Sequence, residues 1–290
     1  MQYYNPVHLA NNVVMSCDML RLSFHMSEFR LKDFNRYINE LALKYDYYEI
    51  KTYFNLSMFK YRNLVTVSNP HTGSSFSMGF HFNDLTKTST ACFIEFNPNK
   101  TLSNNYVYPF LSYIKQYTNF LDIVRLDVAL DIPIPKQYVS LQKDCRKYNK
   151  MYRFDLKNKD MSNCTEYLGQ RNSNGFVKLY NKQIECNLTY PLTRLELTLD
   201  KLSYEEFNSH LPKITIQNET TLLDLAQLND TEKVLYLLLQ ENLNREQYFK
   251  MLGRKMQDKL KKILFVENSI LNISQGQFYK LICNVRQILA

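Results

Sequence analysis

The sequence predicts an α+β fold, a central antiparallel or mixed sheet covered by helices, with a helical C-terminal region. Three observations predict it: short segments of alternating apolar and polar residues from Val13 onward, turn signals between them, and a change to helical spacing after about Leu202. At 290 residues with 45% hydrophobic content, the chain can bury a substantial core in one large or two medium domains. The expected division is an α+β domain over 1–200, readable as two related halves at 1–120 and 121–200, followed by a helical region over 201–290.

Val13 to Phe24 alternates as a strand, and Leu31, Phe34, Tyr37, Ile38 and Leu41 have the spacing of an amphipathic helix. Strands are expected at Tyr48 to Phe59, Asn63 to Ser68, Ser75 to Phe82 and Ala91 to Phe96. Turns at Asn69-Pro70-His71-Thr72-Gly73 and Asn97-Pro98-Asn99 separate them. A helix from about Tyr106 to Thr118 then leads into a strand, Arg125-Leu126-Asp127-Val128-Ala129-Leu130-Asp131. A hairpin follows, from Glu166 to Gly169 and from Phe176 to Asn181, turning through Asn172-Ser173-Asn174-Gly175, where Asn-Gly supplies the positive φ of a tight turn. Arg194-Leu195-Glu196-Leu197-Thr198-Leu199-Asp200 reads as a further strand, so the two arginine-acid strands hint at a weak duplication. Beyond Leu202 come helices at Thr231 to Leu239 and Asn244 to Phe249. A basic amphipathic helix follows, in which Arg254, Lys255, Lys259, Lys261 and Lys262 surround Met251, Leu252, Met256, Leu260 and Ile263.

The net charge of +8 and pI near 9.0 point to an anionic partner, and 22 Tyr with 18 Phe offer flat side chains for unpaired bases. The six cysteines lack any Cys-x-x-Cys pair, so neither a zinc module nor a disulfide framework is encoded. The N-terminus lacks the regions of a signal peptide and no apolar run reaches membrane-span length, so a soluble cytoplasmic protein is expected.

Alternation places Arg125, Asp127 and Asp131 on one strand face, and Arg194, Glu196 and Asp200 on another. Such acids are costly to bury without a cation or a basic partner, so a divalent-metal site is a candidate, and so is an Arg-Asp lattice on a sheet face. On the second hairpin arm Lys178, Tyr180 and Lys182 point one way, which flanks a phenol with two ammonium groups. A phenol ionises near 10, so it needs nearby positive charge or a base to attack a phosphodiester. The candidate catalytic residues are therefore Tyr180, Lys182 and Lys178, and the candidate ligands for Mg2+ or Mn2+ are Asp127, Glu196 and Asp131. Arg125, Arg171, Arg194, Arg254, Lys255, Lys259 and Lys262 are candidate DNA contacts.

Tyr167-Leu168-Gly169-Gln170-Arg171-Asn172-Ser173, then Val177-Lys178-Leu179-Tyr180-Asn181-Lys182 and Glu185, resembles the tyrosine motif of the Rep_trans family, the initiators of small rolling-circle plasmids. The strands around Asp127 and Glu196 look like that family's acidic strands, and Ile94-Glu95-Phe96-Asn97-Pro98-Asn99-Lys100 looks like an upstream family segment. The resemblance implies a metal-dependent nicking and joining enzyme in which Tyr180 attacks one strand at an origin and retains the 5′ phosphate, leaving a 3′ hydroxyl primer. It also implies a homodimer that recruits a host helicase. The family includes conjugative-element relaxases with the same chemistry. Asn174 and Ile132 stand where family members commonly carry acids. With no His-x-His, carboxylates must hold any metal, and with no His-x-x-Arg before a late tyrosine, a tyrosine recombinase is disfavoured. A non-catalytic origin-binding protein is the alternative from another class. It would bind DNA in chelator and never form a covalent adduct. The cleaved origin is expected to be supercoiled or single-stranded at the nick, because a sheet-borne tyrosine reaches an unpaired phosphate more easily.

Overall fold

Alternation along the strands builds one antiparallel sheet, apolar on the side that helices cover and polar on the other. The computed structural model describes residues 3–27, 33, 36–37, 40, 49–54, 63–69, 74–80, 90–101, 108–117, 121–146, 151–153, 164–216, 227–241, 245–264 and 271–288. The strands are β1 (Val7–His8), β2 (Val14–Met26), β3 (Glu49–Phe54), β4 (Asn63–Asn69), β5 (Ser74–Phe80), β6 (Thr90–Phe96) and β7 (Asp122–Ile132). They continue as β8 (Val139–Leu141), β9 (Met151–Arg153), β10 (Thr165–Leu168), β11 (Val177–Asn181), β12 (Thr193–Leu199) and β13 (Ile214–Ile216). The helices are α1 (Pro98–Thr101), α2 (Tyr108–Tyr117), α3 (Lys182–Glu185), α4 (Tyr204–His210), α5 (Asp230–Glu241), α6 (Arg245–Lys250), α7 (Arg254–Leu264) and α8 (Gln275–Gln287). Most of the expected helix over 31–41, the expected strand beyond Phe54, and the turn at 70–73 lie outside the described residues.

The sheet order is β3-β4-β5-β6-β2-β7-β12-β11-β10-β9, with β1 against β2 and a separate β8·β13 pair. Outward from the β2·β7 seam, each side begins with the first strand of its own segment, followed by the last, and the remaining strands return in reverse order. The halves 14–96 and 122–199 therefore share one topology, and the counterparts are β2 with β7 and β6 with β12. The arginine-acid strands β7 and β12 are neighbours within one half, not counterparts of each other.

At the seam the register shifts. Cys17 faces Val128, Met19 faces Asp127, and Asp18 is the extra residue of a β-bulge. Cys17 and Leu20 are both buried on the apolar side, so the bulge delivers Asp18 to the polar side. On the apolar side, Leu126, Val128 and Leu130 of β7 and Leu195, Leu197 and Leu199 of β12 are fully buried, each worth about 1.5–3 kcal/mol of transfer free energy. Helix α8 starts at a capping box between Ser274 and Gln277 and buries Phe278, Leu281, Ile282 and Val285 against this core. Phe278 stacks on Phe207 of α4 with ring centroids 4.7 Å apart.

Helices beyond residue 200 thus divide between two places. While α4 and α8 cover the sheet, α5 to α7 enclose a second cluster of Leu228, Tyr236, Leu239 and Leu260. Among the described residues no helix is long and apolar enough to cross a membrane.

Candidate active site

Strand β11 lies beside β12 with Tyr180 opposite Arg194 and Lys178 opposite Glu196, so Tyr180 and Glu196 are diagonal neighbours on the polar face. The Tyr180 hydroxyl donates to Glu196 Oε1 at 2.6 Å. Lys182 begins α3, whose N-cap is the Asn181 side chain accepting from Ile184 N–H, and this tight turn brings Lys182 Nζ back to 3.3 Å from the Tyr180 hydroxyl oxygen. Lys178 Nζ lies 3.9 Å from the centroid of the Tyr180 ring and 3.7 Å from Glu196 Oε2. The three catalytic candidates therefore gather around one phenol, Lys182 at its hydroxyl and Lys178 over its ring, together with Glu196 and with Glu185, which pairs with Lys182.

Their ionisation follows from burial and charge. Burial, then the Glu196 carboxylate, pushes the Tyr180 phenol far above its ordinary value, so it does not ionise unaided. Burial and then the Asp18 carboxylate push Glu196 up to about 7. For Glu185, burial acts in the opposite direction but Lys182 prevails and holds the carboxyl below its ordinary range. Two acids beside one phenol thus have ionisations driven apart, the pattern that separates a proton acceptor from a permanently charged group.

The other acids are occupied by arginines. Arg194, 1% exposed, grips Asp131 through Nε and Nη2, each at 2.6 Å, and reaches Asp18 Oδ1 at 2.7 Å. Tyr3 adds a 2.6 Å hydrogen bond to Asp131 from the N-terminal arm. Arg125 binds both oxygens of Asp127, at 3.0 and 3.1 Å, and reaches Thr198 Oγ1 at 3.4 Å. Of the four arginines read as DNA contacts, Arg125 and Arg194 are thus partners of acids on the sheet, and Arg194 is buried. Arg171 is exposed at the hairpin turn, while Arg254, Lys255 and Lys259 are exposed on α7, Lys259 pairing with Glu232 at 2.6 Å. The side chain of Lys262 lies outside the described residues.

Asp18 was missed by periodicity because strict alternation puts it on no defined face. Only the bulge, which depends on the partner strand, brings it to Glu196 and Arg194. Among the described residues no three of His, Cys, Asp and Glu stand close enough to enclose an ion. The carboxylates beside the phenol are Glu196 and Asp18, which repel each other and are already partnered, Glu196 by Tyr180 and Asp18 by Arg194, so they are the candidate oxygen donors for Mg2+ or Mn2+ only with Asp18 shared between Arg194 and the ion. Such ions commonly take one or two carboxylates and complete their shell with water and substrate phosphate.

No family model matches the sequence, and no curated protein matches it. Among solved structures the chain is similar to the rolling circle replication initiator protein from Geobacillus stearothermophilus. The TM-score is 0.38 with 12% identity, over 89% of this chain and 99% of that one.

Proposed function

We propose that the protein is a rolling-circle replication initiator that nicks and rejoins origin DNA through a 5′-phosphotyrosine at Tyr180. The observation that carries the reading is the hydrogen bond from the Tyr180 hydroxyl to a carboxyl poised near neutrality, with Lys182 on the same oxygen. A phenol this hard to ionise needs a base at contact distance, and a base titrating near 7 is matched to working pH. The motif resemblance around Tyr180 agrees with this chemistry.

In the first step Glu196 Oε1 accepts the phenol proton as the Tyr180 oxygen attacks the scissile phosphorus. The bond to the 3′ oxygen breaks, and that oxygen leaves, is protonated by solvent, and becomes the primer hydroxyl. Lys182 and Lys178 stabilise the phenolate during attack and again when a 3′ hydroxyl displaces it in rejoining. The phosphotyrosine conserves the bond energy, so closure needs no nucleotide. A divalent ion held by Glu196 and Asp18 would supply polarisation of the scissile phosphate. The buried lattice of Asp131, Arg194 and Asp18 keeps β12 and β2 in register around the nucleophile. The exposed bases of α7 suit the flanking DNA, and the homodimer and host helicase implied by the resemblance belong to the same proposal.

Incubating the protein with 5′- and 3′-labelled single-stranded origin oligonucleotides and Mn2+, then resolving the products on a denaturing gel, tests the reading. The expected result is a protein adduct carrying the downstream fragment, lost in Tyr180→Phe and in chelator. DNA binding without any adduct would instead favour a binding module.

A further inference from the structure

Lys182 is 3% exposed, whereas Glu185, its partner one turn away on α3, is 47% exposed in its side chain. A half-exposed carboxylate thus anchors a buried ammonium group. The groups around Lys182 Nζ are the Tyr180 hydroxyl from β11 and the Glu185 carboxylate from α3, with Lys178 above the same ring and Glu196 accepting from the hydroxyl.

This arrangement creates a competition when substrate arrives. A phosphodiester placed for attack by Tyr180 brings a full negative charge beside Lys182, and a flexible ammonium on a four-carbon stem follows the stronger charge. Drawn onto the phosphate, it would leave the phenol oxygen and bind the ground state without helping the nucleophile form. The tight turn of α3 pairs Glu185 with the ammonium, close enough to the phenol to interact with its hydroxyl as well.

Building on the proposed nicking chemistry, we infer that Glu185 is a positioning residue that holds Lys182 on the nucleophile's oxygen against the pull of the incoming DNA phosphate. Its larger interaction is with Lys182 and its smaller one with the Tyr180 hydroxyl itself, so it acts mainly through Lys182. Its loss therefore affects binding and chemistry in opposite directions, because removing a carboxylate from the DNA-facing surface also removes a repulsion. A role confined to stabilising α3 would weaken both.

The test compares wild type, Glu185→Gln, Glu185→Asp, Lys182→Met and the Glu185→Gln/Lys182→Met double variant on a labelled single-stranded origin oligonucleotide in Mn2+. Single-turnover adduct formation and fluorescence anisotropy in chelator are the readouts. For Glu185→Gln, the single-turnover rate is expected to fall on the order of 100-fold, the cost of a misplaced group, while Kd stays level or tightens. Glu185→Asp should recover part of the rate, and the glutamine should cost nothing further on the Lys182→Met background. An unchanged rate in Glu185→Gln, or equal losses of rate and affinity that add fully to those of Lys182→Met, overturns the inference. If wild type itself forms no adduct, the nicking reading fails instead, so the two failures are distinct.

Discussion

Replacing Glu196 by Gln should abolish cleavage and, at alkaline pH, make the protein more stable. The Glu196 carboxyl titrates at about 7 in the folded protein against an ordinary 4.5. Between these values the folded state keeps a proton that the unfolded chain has released, so stability falls as pH rises through the window and the loss is complete above about 7. At about 1.4 kcal/mol per pH unit, the interval from 4.5 to about 7 corresponds to roughly 3 kcal/mol. Glutamine stays neutral throughout and its amide oxygen can still accept from the Tyr180 hydroxyl. Urea unfolding in chelator, at about pH 5 and about pH 8, should therefore give wild type a pH-dependent loss that exceeds the variant's by about 3 kcal/mol. Added Mn2+ should restore stability to wild type at the higher pH and leave Glu196→Gln unmoved. Parallel pH dependences for the two proteins would refute the assignment of Glu196 as a carboxyl held protonated by burial and Asp18.

Asp18→Asn removes the charge that, after burial, pushes Glu196 upward. The acid limb of the adduct-formation pH profile should move to lower pH, while half-saturating Mn2+ rises about 10- to 100-fold, as read by titration with the labelled oligonucleotide. Gly175→Ala tests the hairpin turn: Gly175 has φ +75°, and a Cβ there would come 2.5 Å from Nδ1 of His210 on α4. A loss of about 1–3 kcal/mol in urea unfolding is expected, with Tyr180 adduct formation retained below the melting transition.

Most of the strand ladder from Val14 to Leu199 was legible because half-buried antiparallel strands print their two faces as alternation, whereas the three-residue strands β8 and β9 are too short to show a period and were not read. The Tyr180 neighbourhood was legible for the same reason, since Lys178 and Tyr180 share a face by period and Lys182 follows them into a tight turn. The hairpin turn was recognised by composition, although its positive φ values fall on Asn172 and Gly175, not Asn174. Partners set by tertiary packing were illegible. Asp18 reaches the site through a bulge against β7, and Tyr3 reaches Asp131 from 128 residues away. The same limit applies to the arginines. Their presence beside acids was plain, but whether Arg194 would face DNA or a buried carboxylate depended on Asp131 lying opposite it in the β7·β12 register.

The seam between the two halves also determines what can be separated. Tyr180, Glu196 and both lysines belong to the second half, yet the carboxylate that raises Glu196 and one of the two that clamp Arg194 come from β2 of the first. In the first half, β6, the strand that corresponds to β12 by topology, carries Glu95, which pairs with Arg21 at 2.6 Å. Its neighbouring strand offers no phenol, because Gly79 stands there with the Phe93 ring filling the space a side chain would occupy. If the proposed nicking chemistry holds, a chain divided near residue 120 would separate Asp18 from Glu196 and Arg194 and yield two inert pieces. Activity would return only when the pieces rebuild the β2·β7 ladder.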